Sequence, residues 1–167
     1  ISQGLKNDID NPYDSSKPKI LFVEGGSQYD IYAMRSAGID PATGKEIFIK
    51  KNGEYTFNYD EKERVAVGNT NPILQGSLMN TLRYKGFSIS VATSYTFGSD
   101  YFNSTLKNKV ENIDLNYNVD RRVFTDRWKE PGDHTRFLGI GTSSSSSQYS
   151  ERFVEKRNEL YISSIQV

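Results

Sequence analysis

The 167 residues suffice for one domain, and 21 acidic residues balance 21 basic ones, so the formal net charge is zero. The chain therefore has no excess of basic charge that would indicate nucleic-acid binding. The absence of cysteine excludes disulfides, thiolate metal sites and thiol catalysis. The mean hydropathy of −0.65 excludes helical membrane spans, while 11 tyrosines and nine phenylalanines favour strands and an all-β fold.

The start of the chain predicts two strands after a polar lead. The first 18 residues form neither a signal peptide nor a lipid anchor, so we expect any export signal to lie outside this chain. Lys19 to Glu24 predicts a short apolar strand that ends at Gly25-Gly26. Ser27 to Ala37 predicts a second strand, although Arg35 interrupts its apolar face.

A long connection follows from Gly38 to about Asn71. It contains the stretch Asp40 to Gly44, a strong turn signal because Asp bonds the nearby backbone, Pro fixes φ and Gly allows positive φ. Further on, Asn52-Gly53 stands between the alternating segments 46–50 and 55–59. Asn-Gly in this setting is the strongest short-range hairpin signal, so the connection is predicted to carry a small hairpin.

Leu74 to Tyr84 predicts the next strand, Lys85-Gly86 predicts a tight turn, and residues 87–97 predict an antiparallel return. Successive side chains alternate along a strand, so the return strand has two different faces. One face is apolar with aromatic ends and the other is small and hydroxylated: Phe87, Ile89, Val91, Thr93, Tyr95 and Phe97 against Ser88, Ser90, Ala92, Ser94 and Thr96. Membrane barrels have such strands, with apolar groups and aromatic girdles toward lipid and polar groups inside.

The region of this hairpin is also poor in charge. The runs from Gly86 to Ser99 and from Val65 to Leu82 contain no charged residue, although 25% of the chain is charged. A strand as long as residues 87–97 extends ~36 Å, which at a tilt of about 45° spans roughly the apolar band of an outer-membrane barrel. A half-buried strand of a soluble sandwich would show the same pattern, so both interpretations stay open at this point.

From Gly98 to about Asn158 the chain is long, charged and irregular, and it includes the low-complexity run Ser143–Ser147. Glu159 to Val167 then begins another strand. The connections thus alternate long, tight and long, which is typical of barrels with short periplasmic turns and long outer loops. Because so few strands cannot close a barrel, the sequence predicts antiparallel strands that form part of a large transmembrane β-barrel, with residues 1–167 as a segment of it.

Six stretches support this interpretation through their order along the chain. They are Val23–Ser27 with Ile31–Ala33, Ala37–Gly44, Val67–Pro72, Tyr84–Ser90, Arg127–Asp133 and Ser150–Val154. In this order they resemble the C-terminal half of the barrel of SusC/RagA-type TonB-dependent outer-membrane transporters of Bacteroidota. The resemblance covers about residues 20–167, and each stretch alone is a weak signal while the ordered set is a strong one.

What the resemblance implies is active import across the bacterial outer membrane. An N-terminal plug, absent from this sequence, would fill the barrel, and TonB would pull on the plug with energy from the proton-motive force. A SusD-type surface lipoprotein would lie over the barrel as a lid, and outer-membrane lipid would surround the strands. Substrates would be oligosaccharides or peptides, and the resemblance implies no cofactor.

The sequence offers no catalytic centre and no metal site. His134 is the one histidine, and it lies in a polar loop without a thiol partner. Asp8, Asp10 and Asp14 resemble a calcium loop but lack its glycine and terminal glutamate, so we expect a solvated turn. The prediction is therefore a protein that is not an enzyme.

Trp128 is the weak candidate for ligand binding. Indole faces stack on sugar rings, and tryptophan is enriched at binding hot spots. The alternative is that the Trp128 side chain only anchors its own loop. Two other functions also remain compatible with the sequence, namely a soluble secreted β-sandwich that binds carbohydrate through loop aromatics, and a passive scaffold or adhesin barrel without transport.

Overall fold

Strands dominate the computed structural model, which describes residues 25–113, 116, 118–141 and 149–167. The strands, all paired antiparallel, are β1 Asp30–Ala33, β2 Arg35–Ile39, β3 Glu46–Ile49, β4 Tyr55–Thr56, β5 Val65–Asn69, β6 Leu74–Tyr84, β7 Phe87–Phe102 and β8 Val154–Gln166. Short helical turns occupy Glu61–Glu63, Ser104–Leu106, Lys107–Glu111, Arg122–Thr125 and Glu151–Phe153. The all-β antiparallel prediction is confirmed. The strand predicted at Lys19–Glu24 and the serine run lie outside the described residues.

The strands form three sheets. The largest has the order β6-β7-β8, and we call it the amphipathic sheet. A second pairs β1 with β5, and a third has the order β2-β3-β4. In the part of the chain that the structure describes, no helix is long and apolar enough to cross a membrane.

The hairpin of β6 and β7 has the tight turn that the sequence predicts. Tyr84 pairs with Phe87, so the loop consists of Lys85 and Gly86 alone. Their φ angles are 46° and 89°, and two positive φ values define a type I′ turn. This turn matches the right-handed twist of paired strands, so it holds the two strands in register without splaying them.

The register extends the two-faced pattern of β7 across all three strands. Residues directly opposite one another project from the same face, so each partner can be assigned to a side. The apolar face includes Leu74, Leu78, Leu82 and Tyr84 of β6, the six apolar-face residues of β7, and Leu160, Ile162 and Ile165 of β8. The opposite face includes Gln75, Ser77, Thr81 and Arg83 of β6, the small residues of β7, and Glu159, Ser164 and Gln166 of β8, with Met79 and Tyr161 as its large apolar or aromatic members.

The apolar face is uncovered. Leu78 is 63% exposed, Phe87 74% and Leu160 70%, and none of the six apolar-face residues of β7 is buried. A sandwich requires a second sheet packed over this face at about 10 Å, and the described residues supply no such sheet. A contiguous apolar surface of this kind marks contact with a membrane or another protein.

The ends of β7 and β8 differ from the prediction. β7 continues to Phe102 rather than ending at Phe97, and β8 begins at Val154 rather than at Glu159. The register shifts between Thr96 and Ser99, after which pairing resumes with the polar residues Arg157, Lys156 and Glu155 and ends at Val154. The predicted boundaries are wrong because the alternation of apolar side chains ends at this bulge, while backbone pairing does not depend on side-chain polarity.

The described residues within 25–72 and 99–157 form a body that we call the cap, and it includes the ends of β7 and β8 beyond the register shift. Its second predicted strand, Ser27 to Ala37, is wrong as a single element, because the structure divides it into β1 and β2 at Met34. Met34 is fully buried and forms a parallel bridge with Ser150 instead of continuing either strand. Because Ser150 lies far along the chain, the alternation of apolar and polar residues within 27–37 does not predict this contact.

The hairpin predicted around Asn52-Gly53 is confirmed. β3 pairs with β4, and β2 pairs with the other edge of β3. Gly53 has a φ of 89°, and the Lys50 amide donates to the Glu54 carbonyl oxygen at 2.9 Å, which closes the turn. Glycine supplies this positive φ without steric cost.

The long connection between β7 and β8 has a hydrophobic core. Its helical segment Ser104–Glu111 contributes the buried Leu106 and Val110, which pack with Val123, Phe137 and Phe153. The prediction of an irregular backbone is correct for most of these residues, but the loop is packed rather than merely solvated. A buried cluster of this kind opposes local opening of a connection.

Candidate functional site

Trp128, the sequence candidate for ligand binding, lies half-buried between two turns of the cap. Its indole Nε1 donates a hydrogen bond to the Pro41 carbonyl oxygen at 2.9 Å. Its ring covers Gly44, where an added Cβ would lie 2.5 Å from the indole Cδ2. Through these contacts Trp128 holds the 40–44 turn against the 127–137 loop.

The turn beneath Trp128 has the conformation that the sequence predicts. Asp40 accepts hydrogen bonds from the Thr43 hydroxyl at 2.5 Å and from the Ala42 amide at 3.2 Å. Gly44 has a φ of 68°, as this turn requires. The Thr43 hydrogen bond, followed by that of Ala42, lowers the pKa of the Asp40 carboxyl below its ordinary value. The turn is therefore stabilised by the carboxylate above the ordinary pKa, and this contribution is lost as the pH falls through the lowered value.

The Pro131-Gly132-Asp133 stretch meets the same turn from the other side. The Gly132 amide donates to the Pro41 carbonyl oxygen at 2.9 Å, so this oxygen accepts from Gly132 and from Trp128 together. Asp133 in turn accepts from the Lys129 and Glu130 amides at 3.0 and 3.2 Å. Trp128 thus has a structural role, and its role toward a ligand stays a prediction.

A buried ion triad that the sequence did not reveal lies behind this region. Arg152 contacts Glu46 and Glu111, each at 2.7 Å, and its side chain is 10% exposed against 3% and 5% for the two carboxylates. The Arg152 guanidinium also donates to the Arg136 carbonyl oxygen at 2.7 Å, and the Ser150 hydroxyl bonds Glu46. Burial alone would lower the pKa of Arg152, but the two carboxylates outweigh burial and raise it above its ordinary value.

Arg127 is a second buried cation, and it caps a helical segment. Its guanidinium donates to the carbonyl oxygens of Val110 and Leu138 at 2.7 Å each, and to that of Glu111 at 3.1 Å. Carbonyl groups at the end of a helix have no partner within the helix, so a cation there satisfies them. Burial lowers the pKa of Arg127, while the charge of Glu111 opposes that shift.

The junction between the cap and the amphipathic sheet is polar. Glu155 accepts hydrogen bonds from Tyr101 and Asn103 at 2.8 Å each and forms an ion pair with Arg136 at 2.7 Å. On the next rung of the sheet, Lys156 contacts Asp100 at 2.8 Å. These charged rungs follow directly on the apolar band, so polarity changes within a few residues along the same strands.

Aromatic side chains stand at both ends of the apolar band. Tyr84 and Phe87 flank the tight turn, 67% and 74% exposed. At the opposite end Tyr95 and Phe97 stack with ring centroids 6.0 Å apart. Two aromatic belts separated by aliphatic residues are the arrangement that lipid-facing strands have at the two membrane interfaces.

The other residues that the sequence singled out take no part in these arrangements. His134 is exposed in the loop that follows Asp133. Asp8, Asp10 and Asp14 lie outside the described residues. Within residues 25–113, 116, 118–141 and 149–167, no group of three or more His, Cys, Asp and Glu side chains is placed to hold a metal ion. The absence of enzymatic activity stays a prediction.

Comparison with known proteins finds similar solved structures but no matching sequence family. No family model matches the chain, and no curated protein matches it. The solved structures that match include that of the RagAB peptide importer in the "closed-closed" state with a TM-score of 0.62, and that of the RagAB peptide transporter with a TM-score of 0.66. Identity is 21% in both, and each match covers 80% of this chain.

The matches concern one part of much longer chains. The present chain spans 15% of the length of the matched chain in each structure. At this level of identity the likeness shows the fold alone. The fold is that of part of a large β-barrel, and the fold class predicted from the sequence is confirmed.

Proposed function

We propose that this chain is a segment of an outer-membrane importer of the SusC/RagA type, energised by TonB and working with a SusD-type surface lipoprotein. The observation that carries the proposal is the uncovered apolar face of the amphipathic sheet, with an aromatic belt at each end. The structural match to the RagAB importer chains supports it. In this proposal the chain continues into further strands that pair with the open edges of β6 and β8.

Bilayer physics supports placing the apolar face in lipid. Strands cross a membrane only when every backbone group is paired, which requires neighbours on both edges. β6 extends over 11 residues, or ~36 Å at 3.3 Å per residue, which is sufficient for a tilted crossing. The opposite face then looks into the barrel, where small hydroxylated side chains such as Ser90 and Ser94 leave room for a plug or a solute.

The two ends of the sheet support an orientation. The two-residue turn at Lys85-Gly86 lies at one end and the cap at the other. Outer-membrane barrels have short turns toward the periplasm and long loops toward the medium. In this orientation the cap, with Trp128, belongs to the outer mouth, which a substrate meets first and where a surface lipoprotein would lie.

The proposed substrate class is peptides or oligosaccharides, and the matched structures favour peptides because both are of a peptide importer or transporter. TonB would act through a plug outside this chain. The zero net charge of the chain gives no preference for charged substrates, and it agrees with the absence of nucleic acid among the proposed partners.

Uptake by living cells tests the function. Cells that carry the complete protein, and cells from which its gene is deleted, receive a fluorescent tryptic digest of casein with or without a protonophore. We expect accumulation that requires both the gene and the proton-motive force, while surface binding survives the protonophore. Equal accumulation in both strains with peptides and with fluorescent oligosaccharides would contradict import, and accumulation that ignores the protonophore would indicate a passive barrel.

A further inference from the structure

The two long connections of the cap are joined along one continuous contact surface. We call the described residues within 25–72 the first cap segment, those within 99–157 the second, and their contact surface the seam. At one point of the seam the Met34 amide donates to the Tyr149 carbonyl oxygen at 2.9 Å, and the Glu151 amide donates to the Met34 carbonyl oxygen at 3.0 Å. Met34 and Ser150 are both fully buried there.

Hydrogen bonds join the two segments at two further places along the seam. The Pro41 carbonyl oxygen of the first segment accepts from Trp128 and Gly132 of the second, each at 2.9 Å. Near the amphipathic sheet, Asp100 accepts from the Asn69 amide at 3.0 Å. The contacts therefore run from the membrane end of the cap to the turn that Trp128 covers.

Arg152 lies at the centre of the seam and bonds both sides. Glu46 belongs to the first segment and Glu111 to the second, and one guanidinium contacts both at 2.7 Å. Separating the segments would break the ion pair between Arg152 and Glu46 and the hydrogen bond between the Ser150 hydroxyl and Glu46. Both are buried interactions between a charged group and a close partner, so their loss opposes opening at this surface.

From this geometry we propose that the two cap segments form a single rigid unit, latched by Arg152, so that the outer mouth never opens between them. Any rearrangement of the mouth moves both segments together. The position of these segments at an outer mouth rests on the proposed function, whereas their rigid joining concerns this chain alone. It differs from the usual expectation that long outer loops move independently of one another.

Hydrogen exchange in the full chain, purified in detergent micelles, tests the proposal. Mass spectrometry with fragmentation to single amides compares the seam amides of Met34, Gly132 and Glu151 with amides bonded within one segment, those of Asp40 and Phe137. We expect the two groups to be protected to the same degree, within about threefold, as in one cooperative unit. Seam amides that exchange ten or more times faster than the internal ones would overturn the proposal.

A variant tests the latch itself. R152M removes the cation and keeps most of the side-chain volume, and we expect it to speed exchange of the Met34 and Glu151 amides together by at least tenfold. Amides of β6 and β7 should not change. The matched control is R122M, which removes an exposed cation paired with Asp120 at 2.8 Å and should leave the seam unaffected. A change on one side of the seam only, or none, would contradict the latch; if R152M does not fold, the measurement on the unaltered chain decides.

Discussion

Gly44 shows how a single residue depends on a partner distant in sequence. Its positive φ follows from the turn that Asp40 begins, and the sequence predicts this conformation. The sequence does not predict that the ring of Trp128 lies against the Gly44 backbone, because the two residues are more than 80 positions apart and share no pattern. The conformation of the turn can be predicted from neighbouring residues, whereas the packing across the turn is determined by the whole cap.

This contact predicts different costs at two glycines. G44A should destabilise the cap by about 2 to 4 kcal/mol, since alanine is strained at positive φ and its Cβ would overlap the Trp128 ring. G53A has the same backbone strain, with φ of 89°, but its Cβ meets open space, so about 1 kcal/mol is expected. Thermal unfolding of the full chain, followed by limited proteolysis of the cap, measures both. Equal losses of stability in the two variants would show that contact with the Trp128 ring does not determine the destabilisation.

The burial of two arginines could not be predicted from the local sequence. Arg127 and Arg152 occur in a charged, irregular stretch, where a solvated position is the ordinary expectation. The structure buries both, one on helix-end carbonyls and one between two carboxylates. Their partners come from separate elements, so no spacing in the sequence identifies them.

Among the elements, the predicted bounds of β6 agree with the structure, while those of β7 and β8 do not. β6 starts after Pro72 and ends at a two-residue turn, and both signals are local. β7 passes through the bulge near Gly98 and continues with polar side chains, so its apolar alternation ends before its hydrogen bonds do. Side-chain alternation therefore predicted the apolar band of the sheet rather than the full strands.

The two faces of β6 predict opposite responses to an added charge. L78R places a cation near the middle of the apolar face, and about 2 to 4 kcal/mol of destabilisation is expected if that face meets lipid. S77R, one residue earlier on the opposite face, is the matched control and should assemble nearly normally. The yield of heat-modifiable barrel in outer-membrane fractions measures both variants. A greater loss for S77R than for L78R would reverse the assigned faces.

At the scale of the whole molecule, an apolar sheet and a polar cap are built on the same two strands. β7 and β8 leave the apolar band, pass the register shift and continue into the charged rungs of Asp100 and Lys156. This change of polarity along continuous strands fits a molecule that crosses from hydrocarbon into water. The sequence predicted this division from its charge-free runs, but it did not predict the core of the cap, whose residues Leu106, Val110 and Phe153 are scattered among charges.

Spin labelling shows whether the apolar face of the amphipathic sheet lies against lipid. Single cysteines replace residues 74–84 and 87–97 in turn in the complete protein, which is reconstituted into liposomes, and each carries a nitroxide label. We expect a period of two, with labels at Leu78, Leu82 and Ile89 accessible to oxygen but not to a water-soluble nickel reagent, and labels at Ser77 and Ser90 showing the opposite. The absence of alternation, or nickel access at Leu78 and Ile89, would show that this face does not lie in lipid.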